Sequence, residues 1–306
     1  MSAFSGKNII ALFKDAFNGF SQHKVTKLGG SLAYFTIFSL GPMLLVVIFM
    51  AGLFLGRQAV EGSLYQEING IVGSTAAEQL QQLIRNAATS EGSVTAIIIG
   101  LVTLLIAATT VFSEMNDSMD TIFKVEKKPG LGWRHLLITR LLAFGVIGSM
   151  GFLLLVSLAA SAIVDGLGEQ LARLVPGLGV ALLFIISQAS TLLVATLLFA
   201  LVFKILPSVK LQWRHVWPGA ILTAFLFMVG RFGISFYIAR SNFGDTYGAA
   251  GSLVVLLVWV YYSSLILYFG AEFTRAYVAR FGGGIKPKRY AVLVPEREPL
   301  QAKGAR

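Results

Sequence analysis

Glu114, Asp117 and Asp120 stand at i, i+3 and i+6, a spacing that gathers carboxylates on one side of a helix. Carboxylates so placed can hold Mg²⁺ or take a proton from an attacking water. At about 100° per residue they spread over roughly 120°. They also follow an apolar run, and a solvated helix extension has the same composition. The three histidines, His23, His135 and His215, lie far apart in the chain, and none forms a His-x-x-x-His pair. The absence of cysteine removes disulfides, thiolate metal sites and cysteine nucleophiles. No G-x-S-x-G elbow, P-loop or dinucleotide fingerprint occurs. The chain therefore reads as a non-enzyme, with no catalytic residue, no cofactor and no metal.

Chemistry of another kind is written inside the apolar runs, where a polar group is costly unless it meets a partner helix or a cavity. Tyr261, Ser264, Tyr268 and Glu272 are spaced three, four and four. They fall within about 80° of one helix face. Gln188 and Thr191 sit at the midpoint of another run, with Ser187 and Ser190 on the same stretch. Arg231 lies in the outer half of a third run, with Ser235 one turn beyond. Gly41 and Pro42 interrupt a fourth at its centre, where Pro42 cannot donate to the Phe38 carbonyl. Ser39 and Tyr34 precede this candidate helix break on neighbouring turns. These polar residues either line a cavity or substrate path, or join helices. Ser and Thr can bond their own backbone, Glu272 can pair with Arg275, and Arg231 can snorkel outward.

The elements that would carry them are membrane spans. The chain has 306 residues, 56% of them hydrophobic and 13% charged, with a mean hydropathy of +0.75. Runs of about 20 apolar residues suffice to cross a bilayer. Six occur, near 28–55, 93–113, 137–164, 178–203, 216–239 and 251–274. Of the 25 Lys and Arg, 18 fall in alternate connecting segments and 4 in the others, which places both termini in the cytoplasm. The expectation is an all-α polytopic membrane protein with six transmembrane helices. Residues 1–27 form a cytoplasmic amphipathic helix, 28–280 the membrane domain, and 281–306 a basic mobile tail.

The net charge of +10 is accounted for by this topology, so nucleic acid is not an expected partner. Anionic lipid headgroups at the cytoplasmic face are. Ile9, Phe13, Phe17 and Phe20 suit a helix lying on the inner surface. Segment 56–92 suits short amphipathic helices on the outer one. "WRH" at 133–135 and 213–215, with Asp165 and Asp245 at the same offset, hints at an 80-residue repeat. Independent interfacial anchors would look the same.

"GGSLAYFTIFSLGPMLL" in the first run resembles the opening of the YihY/virulence factor BrkB family. "LPSVKLQWRHVWPGAILTAFLFMVGRFGISFYIAR" and "YGAAGSLVVLLVWVYYSSLILYFGAEF" resemble its C-terminal signature. The marks are Pro-Gly-Ala, Gly-Arg, Leu-x-Trp-x-Tyr and Gly-Ala-Glu, and the resemblance spans roughly 25–280. Asp120-Thr121-Ile122-Phe123 stands where the family usually has an Asn followed by Ile-Trp. The resemblance implies a bacterial inner-membrane protein with six spans, and little about activity. Some members carry a ribonuclease label, which this chain lacks the residues to support. The expected function is transport of a lipid or other amphiphilic envelope component. Alternatives are a membrane scaffold with an envelope-protein partner, or a small-ion channel.

Overall fold

A computed structural model of the chain describes residues 6–39, 110–130, 178–241 and 251–294. Within them lie α1 (Gly6–Gln22), α2 (25–39), α3 (110–122), β1 (Val125–Lys127), α4 (Leu178–Ile205), α5 (Trp213–Arg240), α6 (Gly251–Phe281) and β2 (Ala291–Leu293). The Gly41–Pro42 break, segment 56–92, the run 137–164 and the first copy of the suggested repeat lie outside the described residues. Segments Gln188–Ile205 of α4 and Leu253–Phe281 of α6 are long and apolar enough to cross a membrane.

α5 packs between α4 and α6, and α1 packs on α6. Val25 and Leu32 of α2, Met119 and Ile122 of α3, Phe203 of α4 and Tyr268 of α6 share one buried core. α5 and α6 approach closely because each supplies a glycine where the other supplies a threonine. A methyl group on Gly219 would overlap Thr274 Oγ1, and one on Gly270 would overlap Thr223 Oγ1. Each threonine hydroxyl donates to the glycine carbonyl one turn back on its own helix. Thr223 bonds Gly219 at 2.6 Å and Thr274 bonds Gly270 at 2.8 Å. The polar atoms are thereby satisfied within the helix, and the seam is closed by shape, as in small-residue packing of membrane helices.

α1 buries Leu12, Ala16 and Gly19 rather than the whole Phe stripe read from the sequence. Phe13 stacks obliquely on Phe273 (5.3 Å between centroids), and Phe17 and Phe20 meet Phe269 (5.0 and 6.2 Å). Ile9, Ile10 and most of Phe17 remain exposed. α1 and α3 end alike, on a lysine in the left-handed region. Lys24 has φ 51° and Lys124 has φ 54°.

Residues 282–294 differ from the sequence expectation of a mobile tail, and with β1 they add a two-stranded sheet to an all-α expectation. β2 pairs antiparallel with β1, in the register Val125↔Leu293 and Lys127↔Ala291. Lys128 N–H donates to Tyr290 O and Val294 N–H to Lys124 O, each at 2.9 Å. Pro287 bridges Val209, and Lys210 N–H donates to Lys286 O at 2.8 Å. The backbone of 286–294 is satisfied by residues remote in the chain. A segment without apolar periodicity is therefore ordered by pairing.

Candidate functional site

Four basic segments meet at one end of the helices: α1, the α3–β1 turn, the α4–α5 loop and the 282–294 segment. At this basic end Glu272 of α6 is fully buried, at 0% exposure. His23 Nδ1 lies 2.5 Å from Glu272 Oε1, and Arg275 Nε donates to Oε2 at 2.9 Å. Lys24, in the left-handed conformation, ends α1 and leaves His23 in the turn that faces α6. Gly19, one turn earlier, leaves space for the carboxylate, since a methyl there would overlap Glu272 Oε2. Asp15 and Arg280 close the same seam nearer solvent, at 2.6 Å.

A second carboxylate, Asp120, is 5% exposed and accepts from both Ser208 N and Ser208 Oγ at 2.7 Å. One turn earlier on α3, Asn116 Nδ2 donates to Leu206 O. The 206–208 turn is held from its other side by Lys288, whose N–H donates to Ser208 O at 2.9 Å and whose Nζ donates to Ile205 O at 3.1 Å. Burial raises the Asp120 carboxyl above the usual carboxylate range, opposed by the two Ser208 bonds and the Lys127 ammonium. Burial likewise lowers the Lys288 ammonium, opposed by Asp120. The sequence reading of Asp120 as part of a solvated helix extension is corrected here. Its helix turns this carboxylate inward with Ser118 and Met119, while Asp117 stays exposed and pairs with Lys127 at 2.7 Å.

Beside His23 and Asp120 opens a cleft of about 860 Å³, lined also by Asp117, Lys124, Glu126 and Lys127 among others. Among the described residues no group of three or more His, Asp or Glu is arranged to hold a metal ion.

The candidate residues of the sequence fall unevenly around this site. Glu272 is at its centre, paired with Arg275 and also with His23. Tyr268 is buried one turn away beside Ser118, yet neither hydroxyl meets hydrogen-bond geometry with a described group. Ser264 is buried and bonds its own helix at Val260 O (2.7 Å). Tyr261 is half-buried beside Gly29 of α2. Ser39 bonds Thr36 O at 2.8 Å, again within its helix, and Tyr34 is 55% exposed, packed on Phe35 and Phe38. Gln188 is half-buried and Thr191 exposed on α4. Arg231 and Ser235 are placed only as positions on α5. None of the ten lines the cleft.

Three signature pieces quoted above now have structural addresses. Pro-Gly-Ala contains Gly219, Gly-Ala-Glu contains both Gly270 and Glu272, and Gly-Arg contains Gly230, which packs against Tyr262. The profile of the family described as Virulence factor BrkB matches residues 16–291. The chain belongs to the virulence factor BrkB family. Among curated proteins it is similar to a UPF0761 membrane protein of Alteromonas mediterranea, 26% identical, covering 87% of this chain and 89% of that one. A UPF0761 membrane protein of Aeromonas salmonicida is 28% identical, with coverage of 83% and 84%. One of Vibrio vulnificus is also 28% identical, with coverage of 84% and 79%. No solved structure matches. A BrkB-family chain is thus a membrane protein, mostly helical, as expected from its composition.

Asn116, Ser208 and Lys288 are site residues that sequence reasoning passed over, and His23 and Asp120 were named there without their partners. For Asp120 a signal exists: it is i+4 from Asn116, on a helix whose Met115, Met119 and Ile122 face the core. Two polar residues one turn apart at the edge of an apolar face commonly serve one shared partner. His23 carries no such signal, because its partner is 249 residues away.

Proposed function

We propose that this BrkB-family chain is a multi-pass bacterial inner-membrane protein with six spans and cytoplasmic termini. Its role in this reading is to move a lipid or other amphiphilic envelope component. Glu272 carries the reading: a carboxylate fully buried in an apolar helix, engaged by a histidine and an arginine. Ionisable groups inside spanning helices are expensive and mark substrate or ion pathways. Their position at the junction of α1 and α6 supports a role in opening and closing that seam. The convergence of four basic segments at one end supports the cytoplasmic assignment. The chain supplies no nucleotide motif, so movement is passive or coupled to an ion gradient, with anionic headgroups as partners and Arg231 as their attractor. Full-length protein in liposomes with labelled lipids tests this. Headgroup translocation above empty liposomes is expected, reduced in Glu272→Gln and Arg231→Ala at equal protein content. No translocation for any of several lipid classes rejects it.

A second reading, a scaffold for envelope proteins, is favoured by one observation. Val292 and Leu293 of β2 and the adjoining Val294 are exposed at the basic end. It predicts a stably co-purifying partner and normal function in Arg231→Ala and Glu272→Gln.

A further inference from the structure

We propose that His23, Glu272 and the Tyr268–Ser118 pair form a proton path from the basic-end cleft into the membrane domain, an inference that rests on the transport reading above. Three observations converge. His23 lines the cleft with its side chain 11% exposed, while its Nδ1 is 2.5 Å from a carboxylate that has no exposure at all. It therefore joins the cleft water to Glu272, while Arg275, 15% exposed, holds the other oxygen. Tyr268 lies one turn from Glu272 on the same face of α6, fully buried, and its hydroxyl has no hydrogen-bond partner among the described residues. Ser118, equally orphaned, is next to it, and Glu114 of α3 acts on the same phenol. Buried hydroxyls without partners are rare in a packed core, and ordered water completes such sites where proton transfer uses them.

Charged groups face the path from several elements. Arg275 holds the second oxygen of Glu272. Asp117, Asp120, Lys124, Glu126 and Lys127 line the same cleft as His23. Asp15 and Arg280 flank the seam one to two turns away. In the transfer, a proton from cleft water adds to the imidazole nitrogen not engaged by Glu272. The Nδ1 hydrogen passes to Oε1, which leaves a neutral carboxyl and a neutral ring with its hydrogen on the other nitrogen. Arg275 then faces a neutral group, and the charge attraction joining α1 to α6 falls. Onward, the Tyr268 hydroxyl accepts the carboxyl hydrogen and releases its own to Ser118 Oγ, and Ser118 releases its hydrogen to the Glu114 carboxylate one turn back on α3, leaving Glu272 ionised again.

The test needs no transported substrate. Full chain in lipid nanodiscs is stepped from about pH 8 to about pH 5 while infrared difference spectra follow carboxylic C=O. A band lost in Glu272→Gln is expected to appear in the wild type. In His23→Gln, which keeps a donor but cannot be protonated, it is expected about tenfold or more slower. His215→Gln serves as the histidine control and is expected to leave the rate unchanged. A Glu272 band absent at every pH, or a rate indifferent to His23→Gln, overturns the path. If His23→Gln does not fold, ¹⁵N-histidine spectra of the wild type decide. His23 signals that stay fixed through the step overturn it as well. Lipid translocation failing while the band and its His23 dependence persist removes the transport reading and leaves the proton path standing.

Discussion

α6 takes part in two seams built on opposite principles. Toward α5 it presents Gly270 and Thr274, matched by Thr223 and Gly219, and every polar atom involved is bonded within its own helix. Toward α1 it presents Phe269, Glu272 and Phe273, matched by Phe17, His23 and Phe13. The first seam is held by shape, which does not respond to pH, voltage or ligand. The second joins aromatic packing to a buried charge whose attraction depends on where one proton sits. Transport of the kind proposed above needs both a frame that stays closed and a contact that can open, and one helix supplies a face to each.

The sharpest way to break this comparison is to add the same methyl group to both seams. Gly219→Ala forces its methyl onto Thr274 Oγ1, with the Gly270 carbonyl and Thr274 Cβ close behind at 3.1 Å. Overpacking of this kind destabilises by about 3 kcal/mol at the upper end of its range. Thermal unfolding in detergent should show that loss, and Thr274→Ala should restore part of it in the double variant. An α5–α6 seam that accepts Gly219→Ala without loss is not held by shape.

Gly19→Ala meets only the ends of the Glu272 and Arg275 side chains, which can shift. The expected cost is about 1–2 kcal/mol, that of weakening hydrogen bonds to a charged group. Unfolding is thus affected less than in Gly219→Ala, while translocation and the Glu272 infrared band are affected more. Equal effects of both substitutions on stability and on activity would erase the distinction between frame and contact.

The two seams were not equally legible in the sequence. The stripe through Glu272 shows in its three- and four-residue spacing, and its capacity to pair with Arg275 is local. The glycines that hold α5 to α6 were visible only as parts of a family resemblance. Spacing does not reveal that Gly219 needs a threonine 55 positions later. Asp120 looked solvated because a carboxylate beyond a span normally is. Its burial comes from a loop that sequence reading treats as a connection, through Ser208. The 286–294 segment looked mobile because a three-residue strand has no period, and its pairing is long-range. What was missed is in each case a contact between segments distant in the chain.

Asp120 sharpens the comparison at the loop beyond the two seams. Its carboxyl is raised chiefly by burial, so the fold favours the neutral form. A raised group contributes stability that is complete below its unfolded value of 3.8 and is lost as pH rises through the folded value. Asp120→Asn keeps an acceptor for Ser208 N–H and a donor for Ser208 Oγ, and removes the ionisation. The stability of the wild type relative to Asp120→Asn should therefore decline as pH is raised from 3.8, measured by unfolding at matched temperatures. A difference independent of pH would mean that the Ser208 and Lys127 interactions balance burial, and one that grows with pH that they outweigh it.

The smallest effect expected is a gain. Lys24 and Lys124 both hold a left-handed backbone that disfavours any side chain with a Cβ, at about 1–2 kcal/mol. Glycine removes that strain and returns about 0.5–1 kcal/mol of it through the greater freedom of the unfolded chain. Lys124→Gly should accordingly stabilise the protein by about 0.5–1 kcal/mol, seen as a small rise in the unfolding midpoint. Lys24→Gly has the same backbone reason to stabilise, but it also frees the turn that aims His23 at Glu272. If the turn positions the histidine, Lys24→Gly raises the midpoint less than Lys124→Gly and slows the Glu272 infrared response, which Lys124→Gly leaves unchanged. Identical behaviour of the two variants would show that His23 is held by Glu272 alone, and that the left-handed lysine contributes strain without aim.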